Sequence, residues 1–219
     1  MDRIRRRAGA QLVQVLFGGT FDPVHNGHVA MAESLARAFP DATVHVIPNR
    51  QPPHRASQVS AEHRLAMLNM AMEGIPQITV NAIELGRDGP SYSVDTLRAF
   101  RAQFGSNESL VLCLGADAVR AVDQWYQPEM LVELAHLCIL NRANQTIEIP
   151  QVLGCYQPTD SVSDFSNQAN GLLGRLATPD VPVSSTEVRA LIAKQAPTLP
   201  VPLKIADYIG WHHLYQDTE

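Results

Sequence analysis

Between positions 15 and 28 the chain reads VLFGGTFDPVHNGH, an apolar run that ends at Gly18 and Gly19 and is followed by His25 and His28. If a helix begins here, imidazoles at i and i+3 share one face of its first turn. Glycines at a strand end let a ligand approach the backbone with no Cβ in the way, and the unpaired N–H groups of a helix start favour an anion. Three readings compete. A catalytic zinc asks for a third protein ligand, and neither HExxH nor a cysteine cluster accompanies the pair. Each histidine alone would pass as a buried structural residue, but two of them flanking Gly27 after a Gly-Gly strand end are hard to explain that way. A nucleotide-phosphate pocket accounts for the glycines, the helix start and the imidazoles together. It belongs to neither of the familiar kinds, because the chain has no GxxxxGK[ST] and no GxGxxG after the strand.

The elements that would position this pocket alternate. LVQVLF (12–17) is a strand, and GHVAMAESLARAF (27–39) sets Val29, Met31, Ala32, Leu35, Ala36 and Phe39 near one helical face, with Pro40 just beyond. TVHVI (43–47) reads as a strand stopped by Pro48. A proline-rich loop and a helix from Ser60 to about Glu73 follow. ITVNAIEL (78–85) reads extended, GRDGP as a turn, and residues 93–104 as a helix. LVLCLG (110–115) and HLCIL (136–140) are strands around the short helix EMLVELA. From Asn141 to Pro182 only GLLGRLA (171–177) reads as a strand. SSTEVRALIAK (184–194) opens with hydroxyl residues and continues helically, which makes Ser184 or Ser185 an N-cap candidate. An amphipathic helix closes the chain, with Tyr208, Trp211 and the C-terminal leucines read as packing. This rhythm predicts an α/β, Rossmann-like, doubly wound parallel sheet with a small C-terminal helical part.

The expected organisation is one domain over 1–219, with a flexible basic N-terminus (1–10) and helical residues 184–219 at the end. Seventeen basic against 22 acidic residues leave a net charge of −5, which argues against general nucleic-acid binding. The run Arg3 to Arg7 reads as a solvated tip. No apolar stretch is long enough to span a membrane, and AGAQLVQVLFGG is a strand rather than a signal peptide, broken as it is by Gln11 and Gln14. Cys113, Cys138 and Cys155 have no CxxC spacing, which points to a cytoplasmic protein.

GGTFDPVHNGH resembles the (T/S)xxHxGH motif of the nucleotidyltransferase superfamily of adenylyl- and cytidylyltransferases. SSTEVR (184–189) resembles that superfamily's second motif, ISSTxxR. NRQPPHR (49–55), SYSVDTL (91–97), GADA with QWY (115–126), AHLCILNR (135–142) and DYIGWHHLY are similar to bacterial nicotinate-nucleotide adenylyltransferases along nearly the whole chain. Val183 stands where the family has isoleucine and Asn141 where it often has arginine; residues 143–170 have no usable match.

The resemblance implies ATP and nicotinate mononucleotide as partners and a Mg²⁺ ion carried by ATP, with no resident metal. It implies His28 and His25 as phosphate donors, and Gly18, Gly19 and Thr20 against phosphate. Ser184, Ser185 and Thr186 form a second helix start toward the β- and γ-phosphates, with Arg189 on the leaving pyrophosphate. Gly115 and Asp117 would take part in ATP binding, Asp117 at a ribose. On the acceptor side it implies Trp125 against the pyridine ring, Ser93 and Tyr126 at the nicotinate carboxylate, and Phe21, His54 and Arg55 as further contacts, the last two on a loop that otherwise reads as exposed. Acceptors other than nicotinate mononucleotide, namely its amide or phosphopantetheine, are the alternative within enzymes. A nucleotide-binding sensor without turnover and a metallohydrolase are the alternatives of other classes. Oligomeric state is left open.

Overall fold

A computed structural model describes residues 13–52, 57–142 and 147–216. Its strands are β1 (Val13–Gly19), β2 (Thr43–Pro48), β3 (Ile78–Val80), β4 (Ser109–Gly115), β5 (His136–Arg142), β6 (Gln157–Pro158) and β7 (Leu172–Thr178). They form one sheet in the order β3-β2-β1-β4-β5-β7-β6, with every pair parallel. The helices are α1 (Asn26–Ala38), α2 (Ala61–Met72), α3 (Ser93–Phe104), α4 (Ala116–Arg120), α5 (Leu131–Leu134), α6 (Ser185–Ala193) and α7 (Leu203–Trp211).

The central strands are apolar at successive positions because both sheet faces are covered. Val15 and Phe17 pack with Leu35, Met67, Val188 and Ile209, from α1, α2, α6 and α7. Leu16, between them, points the other way and packs with Val94, Leu97, Phe100 and Leu131, from α3 and α5. The strand order reverses at β1, which lies between β2 and β4. On the β2 side its pairing runs on to Gly18 and Gly19; on the β4 side it stops at Phe17. The two glycines therefore border the crevice at the carboxyl ends of the strands, where ligands of open α/β sheets bind.

Two expectations need correction. The extended reading of 78–85 holds only to Val80. Asn81 still donates its N–H to the Val46 carbonyl (2.9 Å), but its Oδ1 accepts from the Ile83 N–H (3.0 Å) and turns the chain out of the sheet. Trp211, read as packing, is 83% exposed. The buried stripe of α7 runs through Ile205 and Ile209, and a residue two places further on faces away from it. Leu214 is buried as expected, and Tyr208 packs against the core. The stretch 143–170, unreadable in sequence, carries β6 and a 3₁₀ turn at Val162–Asn167 that buries Phe165. The basic N-terminus, His54 and Arg55 lie outside the described residues. No helix among the described residues is long and apolar enough to cross a membrane.

Candidate active site

Two cavities open at the crevice. One, of about 690 Å³, is lined by residues from both helix starts singled out in the sequence: Thr20, His25 and His28, and Ser184, Ser185, Thr186 and Arg189. Gly115 and Asp117, at the end of β4, line it too. The second, of about 680 Å³, is lined by Ser91, Tyr92, Ser93, Trp125 and Tyr126. Gly18, Thr20 and Ala118 line both, so the cavities adjoin at the end of β1.

His25 is the N-cap of α1 and His28 its third residue, as the i, i+3 spacing requires. Their rings stack with centroids 3.7 Å apart. The backbone N–H of His25 donates to Nδ1 of His28 (3.3 Å), which leaves the His28 proton on Nε2. Burial lowers the His25 pKa to about 4, against a smaller opposing pull from the Glu187 carboxylate. Burial, and then the adjacent His25, also hold His28 well below the ordinary imidazole value. At neutral pH both rings are uncharged donors. Phe21 stands with its ring 4.9 Å from that of His28, edge to face, and is 1% exposed. It lines the histidine cavity and not the aromatic one.

Gly27 brings the second helix start close. A Cβ there would lie 3.1 Å from the His25 ring and 3.2 Å from Val183, the residue ahead of the α6 cap. Ser184 is that cap: its Oγ accepts from the Glu187 N–H (3.2 Å), and its own N–H donates to Glu187 Oε2 (2.7 Å). Ser185 Oγ donates to the Pro23 carbonyl (3.0 Å), which ties α6 to the turn after β1. These two hydroxyls are thus engaged within the fold, beside the N–H groups of the first turn of α6. Arg189 is 8% exposed; Nη1 donates to the Asp22 carbonyl (2.5 Å) and Nη2 to Thr186 Oγ1 (3.3 Å). Asp117 is fully exposed at its side chain and paired with Arg120 (2.6 Å).

In the second cavity Tyr126 stacks on Tyr92, ring centroids 4.6 Å apart, beside the half-buried Trp125. Ser93 is the first residue of α3, so its N–H belongs to the helix start. Among the described residues no group of three His, Cys, Asp or Glu converges as a metal site. Both oxygens of Asp22 accept hydrogen bonds, and the carboxylates of Glu187 and Asp117 are engaged as described.

Residues 16–191 match the family described as Cytidylyltransferase-like. A probable nicotinate-nucleotide adenylyltransferase of Pseudomonas paraeruginosa is 40% identical over 207 residues, which cover 92% of this chain and 96% of the relative. One from Idiomarina loihiensis is 33% identical over 210 residues, covering 93% and 100%. The chain belongs to the nicotinate-nucleotide adenylyltransferase family. The solved Plasmodium falciparum nicotinic acid mononucleotide adenylyltransferase complexed with NaAD shares the fold at TM-score 0.71 and 17% identity, covering 93% of this chain and 97% of that one.

Two buried charged residues, one lining a cavity and one bonded to the backbone of a lining residue, escaped the sequence reading. Glu84, 5% exposed, lines the aromatic cavity and accepts from Thr96 Oγ1 (2.6 Å); burial raises its pKa, opposed by the Thr96 and Ser91 hydroxyls and by Arg87. Arg64, 1% exposed, donates to the carbonyls of Thr20 (2.8 Å) and Arg50 (3.2 Å). Its one trace in the sequence is an arginine amid the apolar residues of HRLAML.

The lowered His25 pKa sets a pH dependence of stability. The unfolded imidazole titrates near 6.5, so the advantage of burying it neutral is whole above that pH and is lost as pH falls through 6.5 toward about 4. The loss should be on the order of 2–3 kcal/mol by pH 4. Urea midpoints measured from pH 7 to 4.5 are expected to fall, and to fall less steeply in His25→Gln.

Proposed function

We propose that the protein transfers the adenylyl group of ATP to nicotinate mononucleotide, giving nicotinate adenine dinucleotide and pyrophosphate, a step of NAD biosynthesis. The observation that carries this reading is the junction of the two cavities at Gly18 and Thr20: an imidazole- and arginine-lined space opens beside an aromatic one. The names of its relatives support the choice of acceptor.

In this reading the triphosphate lies along the first cavity, with Gly18, Gly19 and Thr20 against it, and the acceptor ring stands on Trp125. The acceptor phosphate attacks the α-phosphorus in line from the junction. The bond to the bridging oxygen breaks, and pyrophosphate departs toward α6. A phosphate is already nucleophilic at neutral pH, so positioning and charge stabilisation suffice. His28 Nε2–H, with His25 stacked on it, donates to the phosphoryl oxygens as charge builds. Arg189 and the α6 N–H groups receive the pyrophosphate. Gly115 at the N-cap of α4 and Asp117 face the nucleoside, where Asp117 exchanges its exposed Arg120 partner for a ribose hydroxyl. Ser93 and Tyr126 offer backbone N–H groups to the nicotinate carboxylate. Mg²⁺ enters on the triphosphate as part of the substrate and keeps most of its waters; the engaged carboxylates of Asp22 and Glu187 fit that arrangement. Three free thiols support a reducing compartment, the cytoplasm.

Pyrophosphate release with ATP, Mg²⁺ and each of nicotinate mononucleotide, its amide and phosphopantetheine tests the assignment. Preference for the acid is expected; preference for either other acceptor overturns it, and binding without release at saturation marks a sensor. Trp125→Ala is expected to raise KM for nicotinate mononucleotide about 10-fold, the worth of one stacked ring, with kcat within twofold. Initial rates against acceptor concentration check it.

A further inference from the structure

The carboxylate of Asp22 is 4% exposed, yet both oxygens are held from far along the chain. Oδ2 accepts from the Gln58 backbone N–H and Oδ1 from the Tyr215 hydroxyl, each at 2.8 Å. The carbonyl of the same residue accepts from Arg189 Nη1, and the next residue, Pro23, accepts from Ser185 Oγ. Arg64 lies beside this junction, its guanidinium attracted to the Asp22 carboxylate. Four separate parts of the chain thus meet at Asp22: the turn after β1, the segment entering α2, the α6 arginine and the C-terminal turn. Tyr215 reaches it from a left-handed backbone conformation (φ 60°) next to the buried Leu214. Burial and the Asp22 carboxylate both raise its hydroxyl pKa, so it stays a donor.

A peptide group carries the carbonyl that orients Arg189, and the side chain of the same residue is what Tyr215 fixes. Arg189 and Tyr215 are thus linked through one residue, its carbonyl holding the first and its carboxylate the second. We propose that Tyr215 is a positioning residue: through Asp22, the last turn of the chain sets the aim of Arg189 in the phosphate cavity. The catalytic consequence rests on the adenylyl-transfer reading above.

Tyr215→Phe removes only the hydroxyl. It is expected to lower kcat roughly 10-fold, since small misplacements of an oriented group cost that much or more, with KM for both substrates within twofold. Tyr208→Phe is the control. It removes another C-terminal hydroxyl, bonded to His63 Nδ1 at 2.9 Å and not to Asp22, and should lower melting temperature without changing kcat. In an Arg189→Ala background Tyr215→Phe should have no further effect on kcat. A readout independent of turnover is the Arg189 guanidinium NMR resonance, expected to shift in Tyr215→Phe and stay put in Tyr208→Phe. An unchanged kcat and resonance, or the same fold loss in both backgrounds, overturns the proposal. Wild-type enzyme inactive on nicotinate mononucleotide would instead overturn the substrate assignment and leave the resonance test standing.

Discussion

Replacing His28 by alanine is expected to lower kcat by about 10²–10³-fold while KM for ATP changes only a few-fold. That is the usual cost of removing one preorganised donor aimed at developing charge, roughly 3–4 kcal/mol. The geometry says why this ring should matter more than an exposed histidine. Its proton is held on Nε2 by the His25 N–H, its charge state is fixed neutral by burial, and Phe21 and His25 pin its plane from two sides. The same ring closes the start of α1, so alanine also removes a cap, worth about 1 kcal/mol of stability. His28→Asn separates the two roles, because its amide oxygen can still accept from the His25 N–H but its side chain stops short of Nε2. Its kcat should fall as far as the alanine variant's, with stability largely kept. Steady-state rates and urea unfolding on the two variants measure both effects.

Arg189→Ala is expected to lower kcat by about 10²-fold or more, and to raise KM for pyrophosphate in the reverse direction at least 10-fold. Two losses add. The fork of donors proposed to receive the leaving group disappears, and the buried Asp22 carbonyl loses its partner, at about 1–3 kcal/mol of stability. Arg189→Lys keeps the charge without the planar fork, and should recover binding of pyrophosphate better than turnover. Forward rates, pyrophosphorolysis rates and melting temperatures on the same variants check this set.

What could be read from sequence was local. The glycines ending β1, the i, i+3 imidazoles and the Ser184 cap are each set by neighbours within a turn, and they stand where their spacing puts them. The extended reading of 78–85 failed on a single side chain, the Asn81 amide that folds back on its own backbone. The partner of the Ser185 hydroxyl, the Pro23 carbonyl, is 162 residues away and could not be read from the hydroxyl run. Asp22, Arg64 and Tyr215 were invisible for the same reason: an isolated charge or phenol has no period, and its partner is chosen by the topology that brings strand ends and the C-terminal turn together. Glu84 and Tyr92 line their cavity from a loop whose path depends on where β3 stops.

That two helix starts, more than 150 residues apart, close around one triphosphate is tested most directly by side-chain NMR. Protein carrying ¹⁵N in histidine and arginine would be titrated with a non-hydrolysable ATP analogue and Mg²⁺. The His28 Nε2 and Arg189 guanidinium resonances are expected to shift together with a single midpoint. Movement of one while the other stays fixed at saturation would contradict the shared triphosphate site.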